Sequence, residues 1–194
     1  MATGKQPPKF IVVSFYTIGT GYEEEVRYLK ESLDKFSIFY DIQGIENLGT
    51  WQLNTHYKAK FLRQMIDKHV HVPIVWLDAD AVLLRYPMQF DVQSTDIAVY
   101  YRYGEELLSG TIYLANNKKA RKLLDMWIDA NEENEERLEQ YNLRHVIPAW
   151  QQECGGHVGM LPVTYCKIFD AEPDPIVIQH NQASRRLREA VRKK

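Results

Sequence analysis

The sequence is poor in cysteine, has no long apolar run and carries little excess of either charge. Its two cysteines, Cys154 and Cys166, could form at most one bridge, and the spacing between them is not a zinc-binding spacing. In a chain read as unexported, so few thiols are expected to be reduced bystanders. With only 10 Gly and 8 Pro among 194 residues, collagen-like and low-complexity architectures are excluded; 45% hydrophobic residues exclude disorder as well. No stretch approaches the roughly 18 unbroken apolar residues of a membrane span, and residues 1–9 lack the apolar centre of a secretory signal. The expectation is a flexible N-terminus over residues 1–9, followed by a single cytoplasmic domain over residues 10–194. The 24 Lys and Arg face 26 Asp and Glu for a net charge of −2, so no global positive field marks a nucleic-acid binder.

What is present is a repeating order of buried strands and amphipathic helices. Residues 10–16 are apolar, β-branched and aromatic without alternation, the pattern of a strand covered on both faces. After a turn with two glycines, Tyr22, Val26, Leu29, Leu33 and Phe36 recur at helical spacing, and Glu23, Glu24 and Glu25 occupy the first turn, where the helix dipole favours anions. Strand character returns over residues 37–42, a second amphipathic helix over 53–68, and a buried strand over 73–77 ending at Asp78. This β-α-β-α-β order predicts an α/β fold with a mainly parallel central sheet between helices. Shorter strands follow at 97–101 and 111–115, a helix at 118–130 and a last strand at 176–179. The acidic segment 131–139, with Glu132, Glu133, Glu135, Glu136 and Glu139, reads as a solvated face without chemistry.

Two carboxylates carry the sharpest chemical signal. Asp78 and Asp80 stand two residues apart at the carboxyl end of a buried strand, where open α/β sheets bind ligands. They converge on one volume with no evident Lys or Arg between them, a repulsion that a divalent cation would relieve. Hard oxygen ligands suit Mg²⁺ or Mn²⁺, which retain coordination positions for substrate phosphates. The plainer alternative is that both aspartates cap the following turn. His180 comes just after the last predicted strand and is followed by Gln182, Ser184, Arg185 and Arg186, an amide, a hydroxyl and two guanidiniums suited to phosphate oxygens. If this segment folds against the Asp78 strand end, His180 becomes a third metal ligand; otherwise it begins a solvated basic tail that includes Arg188, Arg192, Lys193 and Lys194.

The ordered set resembles a small nucleotide-diphospho-sugar transferase of the GT-A fold. The set comprises a first strand ending in Tyr16 and Thr17; Trp51 and Asn54 ahead of Lys58 and Lys60; the Asp78-Ala79-Asp80 motif with Pro87 downstream; Ser109 to Asn116; Trp150 to Glu153; Leu161 and Pro162; and the late His180. The resemblance implies a GT-A-like three-layer sandwich and a glycosyltransferase that moves a sugar from a UDP- or GDP-sugar to an acceptor hydroxyl. It assigns Asp78, Asp80 and His180 to the metal, and Tyr16, Thr17 and Tyr22 to the nucleoside. It places Lys58, Ser184, Arg185 and Arg186 at the diphosphate, and Ser109, Gly110 and Thr111 at the donor sugar. Trp150, Gln151, Gln152 and Glu153 would face sugar and acceptor, with Gln152, Glu153 and Arg185 closest to the reaction. Related enzymes often carry an acidic residue where Gln151 or Gln152 appears here, so the base, and with it retention or inversion, stays open.

Charge dictates the mechanism the resemblance implies: the departing nucleoside diphosphate gains negative charge, which a metal and Arg185 or Arg186 would stabilise. Two rival classes share some of these features. A strand followed by Asp-x-Asp also resembles haloacid-dehalogenase-type phosphatases, but this motif follows two strand-helix units and no later acidic pair supplies a second metal carboxylate. A non-catalytic sugar-nucleotide-binding module would be expected to have lost metal ligands, and all three are present. The basic C-terminus also leaves room for a nucleic-acid acceptor.

Overall fold

The computed structural model describes residues 8–168 and 175–184. Strand β1 (Ile11–Thr17) is central because Val12 and Val13 are buried on opposite faces, as the unalternating run requires. It pairs in parallel with β2 (Tyr40–Ile45) on one side and β3 (Ile74–Leu77) on the other. Beyond β3 lies the antiparallel β6 (Glu106–Leu114), then β5 (Ile97–Arg102) and β7 (Val158–Met160), giving the order β2-β1-β3-β6-β5-β7. Five of these six strands point one way, and β6 alone is reversed. A separate two-stranded ribbon pairs β4 (Ala81–Leu83) with β8 (Ile178–His180).

Side-chain alternation divides the core into two layers. Val13, Trp76, Val99 and Ile112 face helices α2 (Trp51–Lys68), α3 (Lys118–Glu133) and α4 (Glu139–Cys154), meeting Phe61, Trp127, Leu143 and Trp150. Val12, Val75, Leu77 and Ala98 face α1 (Tyr22–Lys35) and the ribbon, meeting Leu29, Leu33, Leu83 and Ile178. Burying each of these large side chains contributes about 1.5–3 kcal/mol, so the three layers are held from both sides of the sheet. Thr50 and Asn117 start α2 and α3 by accepting the backbone N–H groups of Leu53 and Ala120.

Several boundaries differ from the sequence expectation, each for a local reason. Strand β2 starts at Tyr40 rather than residue 37, because the chain leaves α1 through Ser37 at φ 54°. Helix α4 begins inside the stretch read as a solvated acidic segment and tolerates Pro148 in its interior. His180 is the last residue of β8 rather than a residue beyond it, paired with Ala81. Of the two expected terminal segments, residues 1–7 and the basic run from Arg185 onward lie outside the described residues. Among the described residues, no helix is long and apolar enough to cross a membrane, and both cysteines are free.

Candidate functional site

Because β1 and β3 are parallel, their carboxyl ends reach the same edge of the sheet. The chain leaves β3 at Asp78, whose backbone N–H donates to the carbonyl of Gly110 on the reversed β6 at 2.9 Å. A tight turn, closed by Ala81 N–H donating to the Asp78 carbonyl at 2.9 Å, carries Asp80 to the start of β4. Pairing of β4 with β8 then sets His180 beside it, with Asn181 N–H donating to the Asp80 carbonyl at 3.0 Å. Ligand atoms of Asp78, Asp80 and His180 all lie within 4.8 Å of one another. They open on a cavity of about 420 Å³ lined on one side by Tyr16, Thr17 and Tyr22 and on another by Ser109, Gly110 and Glu139.

The buried members of this group are oriented by partners behind them. Asp80 Oδ2 accepts the Ala183 N–H at 2.7 Å, and Oδ1 lies 3.7 Å from His180 Nδ1. Burial raises the Asp80 pKa, but its contacts with His180 and the Ala183 N–H outweigh this and hold it below the ordinary carboxylate value. His180 Nε2 lies 2.9 Å from Thr111 Oγ1, whose hydroxyl proton is committed to the Tyr165 carbonyl at 2.9 Å. Thr111 can therefore only accept from the imidazole, so Nε2 carries a proton and Nδ1 faces the carboxylates. Burial disfavours the imidazolium, yet Asp80 and the Cys166 side chain push the His180 pKa up to about 10. A cation taking Nδ1 would displace that proton.

Gly110 supplies the room. A Cβ there would lie 3.0 Å from His180 Cε1, 3.2 Å from Nδ1 and 3.3 Å from Asp78 Oδ2. Two carboxylates, one imidazole nitrogen and a gap that only glycine leaves form a donor set suited to a hard divalent cation, with positions left toward the cavity.

No protein-family model and no curated protein matches the sequence. Solved structures do match the fold. A glycosyltransferase involved in the glycosylation of the major capsid of PBCV-1 aligns over 96% of this chain and 100% of its own, with a TM-score of 0.70 at 14% identity. The fold is that of a GT-A-type glycosyltransferase. The apo form of the glycosyltransferase GlyE from Streptococcus pneumoniae matches 90% of this chain with a TM-score of 0.63 at 13% identity, and a second GlyE structure matches with 0.58 at 15%. This chain spans about half of GlyE, 54% and 55% of the two chains.

Lys58, expected near the diphosphate, lines the same cavity, and its ammonium is already engaged by oxygens of the chain. It is buried on α2, and four oxygens surround its Nζ: Glu139 Oε1 at 2.9 Å, Asp78 Oδ1 at 3.1 Å, and Ser109 Oγ and carbonyl at 3.1 and 3.2 Å. Burial opposes its charge, but Asp78 and Glu139 prevail and raise its pKa. The ammonium thus supplies the cation that seemed missing beside Asp78, and Trp76 Nε1 donates to the same Asp78 oxygen at 2.8 Å. Ser109 is likewise occupied, donating to Glu139 Oε1 at 2.7 Å.

Other expected residues are not brought to the cavity. Trp150 is fully buried in the core between the sheet and α3, its indole donating to the Lys119 carbonyl at 2.8 Å. Gly156 lies so close beneath it that a Cβ would be 2.2 Å from the ring. Gln151 and Gln152 are exposed, and Glu153 pairs with Lys122 at 3.0 Å. The last turns of α4 carry all of these residues away from the triad, which corrects the expectation that they meet sugar and acceptor. Thr111 is behind His180 and does not line the cavity. Ser184 does line it, whereas Arg185 and Arg186 lie outside the described residues.

Glu139 is the residue the sequence reading missed. Placed among solvated glutamates, it is 6% exposed, lines the cavity, and keeps Oε2 buried without a hydrogen-bond partner. The available signal was its spacing: Glu139, Leu143, Val146, Ile147 and Trp150 share one helical face, and that face is buried. Cys166, read as a bystander, lines the cavity beside His180.

Proposed function

We propose that this protein is a metal-dependent glycosyltransferase that moves a sugar from a nucleotide diphosphate donor, a UDP- or GDP-sugar, to an acceptor hydroxyl. The observation that carries this reading is the convergence of Asp78, Asp80 and His180 on one volume at the mouth of a large cavity, in a fold shared with glycosyltransferases. In this reading those three residues hold Mn²⁺ or Mg²⁺, which, when bound, neutralises charge on the departing diphosphate. Tyr16, Thr17 and Tyr22 form the nucleoside wall, and Gly110 leaves the space in which diphosphate and cation meet. Ser184 with Arg185 and Arg186 would hold the phosphate oxygens.

Lys58 acts through Asp78 and Glu139, holding both carboxylates in fixed orientation while balancing part of their charge. Glu139 takes the part expected of Glu153 through its charge, which lies beside the cavity where positive charge would develop on the sugar. The test is a thermal-shift screen of UDP-, GDP- and other nucleotide sugars with and without Mn²⁺, followed by donor hydrolysis. A nucleotide sugar should raise Tm only when Mn²⁺ is present. Absence of any Mn²⁺-dependent shift or hydrolysis across the panel overturns the reading.

A further inference from the structure

The cavity extends past the triad to a second wall that no donor role accounts for. Trp51, at the start of α2, lines the cavity and is 40% exposed, so part of the side chain is accessible from the cavity. Arg102 and Glu106 line it as well, paired through Arg102 Nε and Glu106 Oε2 at 2.8 Å across the β5–β6 hairpin. Between these two residues, at the hairpin tip, Tyr103 is 84% exposed and takes φ 53°, a left-handed conformation that a tyrosine adopts at a cost. Gln140, next to Glu139 at the start of α4, completes the wall, and its neighbour Tyr141 is 42% exposed.

Resting on the glycosyltransferase reading above, we propose that the acceptor is itself a sugar, bound with the apolar face of its ring on Trp51 and its hydroxyls on the Arg102–Glu106 pair and Gln140. A pyranose has that combination of surfaces: axial C–H groups cover one face, and hydroxyls that both donate and accept surround the edge. A partly exposed indole meets the first, while the paired guanidinium and carboxylate, with the Gln140 amide elsewhere on the lining, meet the second. Tyr103 and Tyr141, each exposed and next in sequence to the lining residues Arg102 and Gln140, offer further aromatic surface to an extended glycan. A serine or threonine side chain in a peptide has no such ring to cover Trp51.

The experiment uses the full chain with Mn²⁺ and the nucleotide sugar found by thermal shift, and a panel of methyl glycosides of common hexoses, pentoses and deoxyhexoses as acceptors, beside serine-, threonine- and tyrosine-containing peptides. At least one glycoside should be glycosylated and should show saturation transfer from the protein in NMR. Trp51→Ala should raise the KM for that glycoside about tenfold or more and remove the saturation transfer, with Trp51→Phe in between. The Mn²⁺-dependent Tm shift given by the nucleotide sugar should persist in both variants. Loss of that shift in Trp51→Ala would assign the indole to the nucleotide and overturn the inference. So would turnover of peptides alone, or an unchanged glycoside KM. Failure of the wild type to bind or hydrolyse any nucleotide sugar is a different result, which removes the underlying reading and this inference with it.

Discussion

Among the described residues, two places combine aspartate, histidine and lysine, and they are built to opposite ends. At the edge of the sheet, Asp41 on β2 accepts from Lys68 at 2.7 Å, from His69 at 2.8 Å and from Gln43 at 3.1 Å. One carboxylate faces two basic side chains and an amide, and its pairing is complete. At the end of β3, Asp78, Asp80 and Glu139 share Lys58 and His180, so carboxylates outnumber the fixed cation. Here Glu139 Oε2 has no partner, and Gly110 holds open a gap between His180 and Asp78. Identical chemistry is a staple where charge closes and space is filled. It is a candidate binding site where negative charge is left over next to a cavity.

This contrast can be broken by exchanging the behaviour of the two groups. The largest effect should follow Asp80→Ala, which is expected to lower sugar transfer at least about a hundredfold, measured as kcat/KM with Mn²⁺ at saturation. Near-normal transfer in that variant would place Asp80 with the staples. Glu139→Gln keeps the shape and a contact for Lys58 but removes a charge beside the sugar; transfer should fall roughly tenfold or more while the Tm shift given by nucleotide diphosphate and Mn²⁺ remains. An unchanged rate would return Glu139 to a purely structural role.

Thr111→Val sharpens the argument at the imidazole. Removing the acceptor for Nε2–H frees the ring to change tautomer, and Mn²⁺ affinity should weaken about tenfold, read by calorimetry. Nitrogen chemical shifts of His180 with diamagnetic Mg²⁺ added report the same change independently of activity. The smallest effect belongs to Asp41. Although its partial burial raises the pKa, hydrogen bonds from Lys68, Gln43 and His69 lower it further, so the folded protein holds this carboxyl below its ordinary value. Its contribution to stability is therefore fully present above the unfolded pKa near 4 and is lost as pH falls through the folded value. Asp41→Asn should leave transfer unchanged, cost less than about 1 kcal/mol near neutral pH because Lys68 is half exposed, and flatten the acid side of the stability profile. Equal slopes for variant and wild type in acid denaturation would remove Asp41 from that account.

How far these features were legible depended on how local their causes are. The doubly covered runs that became β1 and β3 were readable because burial on both faces leaves an apolar stretch in sequence. Asp78 and Asp80 were readable because a strand end places neighbours in one volume. Lys58 was expected near the diphosphate, but its partners Asp78 and Glu139 could not be read, because Glu139 comes from far along the chain. Glu139 was misread because four nearby glutamates suggested solvent, and only the register of α4 turns it inward. Trp150 to Glu153 were assigned to the site by pattern, but the same helix carries them to the opposite end.

By itself the sequence determined the alternation of strands and helices, the three-layer architecture that follows from it, and the candidate metal ligands, because periodic burial and strand-end position are local properties. The tertiary structure alone decided which charges meet. The β4–β8 pairing brings an imidazole to carboxylates about a hundred residues away. The packing of α2 and α4 over β6 sets Lys58 against Glu139. An electrostatic site depends on distances of a few ångströms across the fold, and no pattern along the chain records those.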